Sequence, residues 1–234
     1  MLKAQDHRVR VAGARREEMR NCLLFSAMSL ASDKSIHDID VEEIIAHAQV
    51  SRGTFYKYYP SVPRLFEDLA EQLAQELSGA LDTATIQATD TSSHLASTAR
   101  LIMRLLVDIP VLGNLFIQLP WLKQNPRLYL FETLKQDIEQ GIKDGTYEKL
   151  PAAIGLNLVI GSMVGGIHTM LLKPPAKGYE DKVIRQALIG LGLDAKKADQ
   201  VSTASLGVKI TLPRTGILGK IEITHVQSPI LCQR

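Results

Sequence analysis

Residues 41–59 read VEEIIAHAQVSRGTFYKYY, and this stretch decides the architecture. Asp40, just before it, suits a helix N-cap, and Glu43 three residues on completes a capping box. Ile44, Ile45 and Ala48 give the short helix that follows a side to bury. Residues 47–50 make a tight turn, and Ser51 caps a second helix from Arg52 to Tyr59. Two short helices joined this way are a helix-turn-helix, whose second helix enters the DNA major groove. The second helix carries Arg52, Lys57, Thr54 and three tyrosines. The chain has five Phe, six Tyr and one Trp, and four of these fall within residues 55–59. A solvated helix has no reason to gather tyrosines. A surface that meets phosphates, sugars and thymine methyls does.

Outward from this stretch the chain reads as helices. Met19, Leu23, Ala27 and Leu30 mark one face of a helix over 14–31, ended by Ser32-Asp33-Lys34-Ser35. Pro60 and Pro63 bracket a break, with Ser61 as an N-cap. Leu65, Phe66, Leu69, Leu73, Leu77 and Leu81 then make a long fourth helix. Thr83–Ser93 reads as a loop. Further helices are predicted over 94–108, 111–119, 126–144, 151–172 and 180–191. The 126–144 helix has a stripe of Phe131, Leu134, Ile138 and Ile142, with Gly145 as its stop. Beyond about residue 200, Val208, Ile210 and Leu212 alternate with polar residues, and Ile221, Ile223 and Val226 nearly do. A hairpin turning at residues 213–216 and a loose tail both remain open.

The run Ser51-Arg52-Gly53-Thr54-Phe55-Tyr56-Lys57-Tyr58-Tyr59, behind a helix capped at Asp40 and a longer helix at 14–31, resembles the DNA-binding domain of the tetracycline-repressor (TetR) family. The likeness is close over about 14–70 and looser to about 192. It implies an all-α protein. A three-helix helix-turn-helix domain with a basic N-terminal arm would span 1–62. A helical regulatory and dimerisation domain would span 63–195, and 196–234 would be a tail of unassigned role with β-like character. The resemblance carries DNA contacts onto Ser51, Arg52, Gly53, Thr54, Tyr56, Lys57 and Tyr58. Phe55 and Tyr59 would pack inward. Gln49 stands where the family often has Gly in the turn. Val62 stands where a phosphate-gripping Lys is common, with Arg64 as the substitute. Ala31 stands where helix one often has an aromatic.

Charge agrees in place, though not in amount. Residues 1–64 hold ten Lys/Arg and eight Asp/Glu, and the remainder holds 17 of each. Positive charge gathers in residues 1–16, through Lys3, Arg8, Arg10, Arg15 and Arg16, and again at Arg52, Lys57 and Arg64. Such clusters suit a phosphate backbone. The first residues lack an apolar signal core, so a cytoplasmic location is expected. Two cysteines, Cys22 and Cys232, cannot make a disulfide-rich scaffold, and Cys22 reads as a packing residue of helix one. No zinc-binding, phosphate-loop or nucleophile motif occurs, so neither an enzyme nor a bound metal or cofactor is expected.

Residues 150–172 contain no charge, and Lys149 and Lys173 flank them. Read alone, this is a candidate membrane anchor, which would make the protein a membrane-associated DNA-binding regulator. Pro151, Asn157, Ser162, His168, Thr169 and four glycines favour instead a helix packed on two sides. The resemblance implies that 151–172 and 180–191 form a homodimer interface. It also implies a ligand-responsive repressor, released from a near-palindromic operator by a small apolar or amphipathic effector. Met103, Arg104, Phe116, Trp121, Tyr129, Asn157, Met163 and His168 are the candidate effector liners.

Overall fold

The structure is a computed structural model. It describes residues 2–85, 88, 90–118, 129–173, 176–206, 210, 212, 213 and 215–224. Within these, the side chains of 2–9, 83, 84, 129–131 and 222–224 lie outside the description. All regular structure among the described residues is helical. The helices are α1 (Leu2–Leu30), α2 (Val41–Ala48), α3 (Arg52–Tyr58), α4 (Val62–Thr85), α5 (Thr91–Asp108), α6 (Pro110–Gln118), α7 (Tyr129–Lys143), α8 (Ala152–Leu172), α9 (Tyr179–Gly190), α10 (Ala195–Thr203) and α11 (Leu218–Thr224). A single 3-10 turn, Ile36–Asp38, precedes α2. The chain divides into two compact units, 1–73 with 213–234, and 74–212.

In the first unit, α1 is twelve residues longer at its start than the apolar pattern predicts (residue 2 against residue 14). Residues 10–18, Arg10, Arg15 and Arg16 included, are exposed, so no apolar stripe announces them. From Cys22 to Met28 every position is buried. The capping box forms as expected: Asp40 Oδ1 accepts from the Glu43 amide at 2.9 Å, and Glu43 Oε2 accepts from the Asp40 amide at 3.2 Å. The turn then passes through Gln49 at φ 55°, ψ 42°, the only non-glycine positive φ among the described residues. A β-carbon in this region costs on the order of 1 kcal/mol. Gln49→Gly is therefore expected to leave the fold unchanged and to raise stability by up to about 1 kcal/mol, part of the gain being offset by the freer unfolded chain. Chemical denaturation measures this, and a destabilised variant would contradict it.

The second unit is built around α5, which packs against α6, α7, α8, α9 and α10. Leu95, Ala96, Ala99, Leu101, Ile102, Met103, Leu105 and Leu106 of α5 are buried. The chain bends by 118° between α5 and α6. Gly113 makes that bend possible, because a β-carbon there would lie 2.4 Å from the Leu106 carbonyl oxygen. Gly145, at φ 78°, ends the α7 segment as expected. Asp90 caps α5, whose first residues reach into the stretch read as a loop.

The C-terminal expectation is corrected. Residues 195–203 and 218–224 are helical, and Ile217, Leu218 and Ile221 bury one side of α11. Val208, Arg214 and Val226, and the side chain of Ile223, which shaped the hairpin reading, lie outside what is described. The anchor reading of 150–172 is not supported either. α8 is long and apolar enough to cross a membrane, but Gly155, Val159, Met163, Gly166 and Ile167 face the core of their own unit. Neighbours there include Ile138, Leu191, Met103 and Val183.

Candidate nucleic-acid interface

α3 is fixed from both ends and from beneath. Ser51 caps it, its Oγ accepting from the Thr54 amide at 3.1 Å. Phe55 is fully buried, which contributes about 2–3 kcal/mol of transfer free energy. Tyr59 closes the helix and is buried too. Its hydroxyl donates to Asp68 Oδ2 at 2.6 Å. Arg20 of α1 grips the same carboxylate in a fork, Nε to Oδ2 at 2.9 Å and Nη2 to Oδ1 at 2.7 Å. Arg20 also donates to Gln72 Oε1 at 3.0 Å. Desolvation disfavours the Asp68 charge, but the hydrogen bonds from Arg20 and Tyr59 outweigh it and hold the carboxyl below its ordinary range. Burial first, and the bond to Asp68 second, push the Tyr59 phenol up. This Arg20–Asp68–Tyr59 set ties α1, α4 and the end of α3 together. Sequence reading missed it: its members are 48 and nine residues apart, and no local pattern couples them.

With Phe55 and Tyr59 inward, α3 turns Arg52, Gly53, Tyr56 and Lys57 outward. These are positions i, i+1, i+4 and i+5, one face of a helix. Thr54 and Tyr58 flank the face, half-buried. Tyr56 is 48 % exposed although it is a large aromatic. The Arg52 guanidinium lies over its ring, 5.8 Å from the centroid, and also pairs with Glu42 of α2. Arg64 is exposed in the first turn of α4 and pairs with Glu67 at 2.8 Å. Exposed pairs of this kind contribute little and are readily exchanged for another anion. The face is thus a cationic and phenolic surface on a short, rigid helix. It can donate to phosphates and base edges and lay aromatic carbon on thymine methyls.

The effector candidates separate in the second unit. Met103, Phe116 and Met163 are buried together with the core. Arg104 pairs with α9: its Nε donates to Glu180 at 2.8 Å, and its guanidinium lies 3.6 Å from Asp181. Neighbouring Arg100, 2 % exposed, donates to Asp181 at 2.6 Å and to the Ala204 carbonyl at 2.8 Å. Burial depresses the Arg100 charge, and Asp181 opposes that. Asn157 and His168 are placed differently from Met103, Phe116 and Met163. They project from α8 on its exposed side, away from the core of their own unit. Trp121 and the Tyr129 side chain lie outside the described residues. Two buried hydroxyls that sequence reading did not single out, Thr98 Oγ1 and the Tyr147 phenol, have no hydrogen-bond partner among the described residues. Among those residues, no group of three or more His, Cys, Asp or Glu is placed to hold a metal ion.

Two histidines give the units opposite responses to pH. His94 Nδ1 lies 2.7 Å from Asp137 Oδ2, and that hydrogen bond raises the imidazole's pKa against partial burial. The folded state therefore holds this proton more tightly than the unfolded one. Its stabilisation is full below about pH 6.5 and is lost as pH rises through the folded value. His47 is half-buried with no compensating partner on its buried Nδ1, and desolvation lowers its pKa. Its neutral form suits the fold, so stability is full above about pH 6.5 and falls as pH drops below that. Melting profiles of His94→Asn and His47→Asn between pH 5 and 8 are expected to flatten opposite limbs of the parent profile. Identical profiles for both variants and parent would contradict this.

Helices α2 and α3, joined by the Gln49 turn and bearing this outward face, form a helix-turn-helix of the kind that reads DNA. Residues 23–69 match the family model described as bacterial regulatory proteins, tetR family. Residues 23–69 thus carry a DNA-binding domain of the tetR-family type. Comparison with curated proteins finds no match. Among solved structures, RolR in complex with its ligand resorcinol is similar in fold, at a TM-score of 0.67 and 23% identity over 85% of this chain and 100% of that one. A putative tetR family transcription regulator from Shewanella sp. PV-4 gives 0.65 and 15% identity, over 74% and 97%. A gamma-butyrolactone receptor described as ArpA-like gives 0.53 and 16% identity, over 80% and 96%.

Proposed function

We propose that the protein is a ligand-responsive repressor that binds a near-palindromic operator as a homodimer. The outward face of α3, Arg52, Gly53, Tyr56 and Lys57 above buried Phe55 and Tyr59, carries this reading. Two such helices would enter successive major grooves about 34–36 Å apart. Ser51, Thr54, Tyr58 and Arg64 would add phosphate contacts at the edges, so binding should weaken steeply with salt. Selection of bound duplexes from fragmented genomic DNA tests this half, and recovery of no preferred site from folded protein would refute it.

The effector half rests on the second unit. The second unit buries Met103, Phe116 and Met163 and, among its other buried groups, leaves the hydroxyls of Thr98 and Tyr147 without partners; both features suit a small, mainly apolar molecule that offers hydrogen-bonding oxygens. Resorcinol on RolR and the butyrolactone of the receptor named above are ligands of that size and kind. Binding would favour a dimer whose recognition helices no longer match the groove spacing, a shift of population between two states. A thermal-shift screen of phenols, dihydroxybenzenes and lactones identifies the class. Tyr147→Phe is expected to leave the melting temperature of the unliganded protein unchanged or slightly higher, because the lost hydroxyl had no partner. The same variant should lose more than half of the ligand-induced shift. A full shift in Tyr147→Phe, or stabilisation by charged metabolites alone, would overturn this assignment.

A further inference from the structure

His94 and Thr98 of α5 are at i and i+4, one turn apart on a shared face. That face is turned to α7, because His94 Nδ1 lies 2.7 Å from Asp137 Oδ2. Oδ1 of the same carboxylate has no hydrogen-bond partner among the described residues. Gly141 is one turn beyond Asp137 on α7. The Tyr147 ring fills the space beside Gly141, where a β-carbon would run into its Cδ2 and Cε2. The phenol thus lies against the side of α7 that bears Asp137. Burial first, and the Asp137 charge second, push the phenol up. It therefore keeps its proton and is a donor, yet it and the Thr98 hydroxyl have no partner. Thr98 is 2 % exposed and Tyr147 4 %. A buried hydroxyl without a partner is costly. Two of them beside one carboxylate mark a place whose occupant brings the missing bonds.

We propose that Asp137, Tyr147 and Thr98 form the polar end of the effector site and select a small apolar molecule by a neutral hydroxyl, as phenols carry. This rests on the effector reading above and narrows it. His94 holds the carboxylate in place through Oδ2. A hydroxyl does both things the remaining groups ask. It donates its proton to Asp137 Oδ1 and accepts one from the Tyr147 or Thr98 hydroxyl. A lactone or an ether only accepts, and leaves its oxygen facing a carboxylate. A ligand carboxylate meets like charge there. An ammonium donates to Asp137 but accepts nothing from Tyr147. The apolar body of the ligand has buried side chains to follow from this end. Leu134 is three residues before Asp137 on α7, and Ile102 is four after Thr98 on α5.

Isothermal titration of the full chain with resorcinol, its dimethyl ether, γ-butyrolactone and benzoate tests this. Resorcinol is expected to bind about tenfold or more tighter than each of the other three. Asp137→Asn keeps an acceptor for His94 but removes the charge, and should weaken resorcinol about tenfold or more while leaving the ether unaffected. Thr98→Val removes a hydroxyl that had no partner, so it should melt no lower than the parent and weaken resorcinol about threefold or more. An ether or lactone that binds as tightly as resorcinol would overturn the site and leave the effector reading standing. Resorcinol affinities in the two variants equal to the parent's, as for a place that holds only water, would do the same. No binding of resorcinol would also overturn the site, and the wider thermal-shift screen then decides the effector reading separately.

Discussion

Replacing Tyr56 and Lys57 together with alanine will lower the affinity for the operator by on the order of 100-fold or more without unfolding the domain. Both side chains lie on the outward face of α3, and neither is part of the Arg20–Asp68–Tyr59 anchor or of the Phe55 core. Their removal therefore costs contacts with DNA, not packing. A base-edge or phosphate contact contributes about 1–3 kcal/mol, so two lost together correspond to a factor between about 30 and 10⁴. The single variants divide the effect. Lys57→Ala, if Lys57 meets phosphate, weakens all duplexes alike and reduces the salt slope by about one per recognition helix. Tyr56→Ala removes aromatic carbon and should relax preference at one position of each half-site. It also frees Arg52 from the ring it now lies over. Fluorescence anisotropy at several salt concentrations, with far-UV circular dichroism as the control for folding, measures all three variants. Unchanged affinity in the double variant would remove α3 as the reading helix.

How far the sequence could be read depended on how local each cause was. The capping box at Asp40 and Glu43, the Ser51 cap and the stop at Gly145 each act over a few residues, and each appears as read. The left-handed conformation of Gln49 had no local signal; only the resemblance, with glycine common at that position, pointed to it. The Arg20–Asp68–Tyr59 anchor was not legible, because tertiary packing alone brings its members together. Arg104 shows the same limit. Its charge in an apolar stretch drew attention as a ligand contact, but its partners, Glu180 and Asp181, lie on a helix 76 or more residues away. At the C-terminus, seven residues are too few to separate a period of 2 from one of 3.6. Ile221 and Ile223 suggested alternation, while Ile217, Leu218 and Ile221 in fact bury a helical face.

Placing glutamate at both Ile154 and Leu158 is expected to convert the proposed homodimer into a folded monomer and to abolish operator binding at concentrations where the parent protein is saturated. α8 has two stripes. The buried one runs through Gly155, Val159, Met163 and Gly166 and holds the helix to its own unit. The other runs through Ile154, Leu158, Gly161, Gly165, His168 and Leu172, all exposed in the single chain, with Ile154 at 58 % and Leu172 at 73 %. The spacing 4, 3, 4, 3, 4 keeps these residues on one side over the whole helix. A side so apolar would not be left to water, and open space beside Gly161 and Gly165 lets a second helix come close. A two-fold interface doubles every substitution, so the double variant places four carboxylates in one apolar seam. The buried stripe is untouched, which is why each chain should keep its helical signal and its melting transition. Loss of the dimer removes one of two recognition helices from each complex, and with it the gain from binding both half-sites at once. Leu172→Glu, at the end of the stripe, should weaken the dimer much less. Analytical ultracentrifugation of the three proteins decides the matter, and a double variant that remains dimeric would rule out the α8 stripe as the dimer seam.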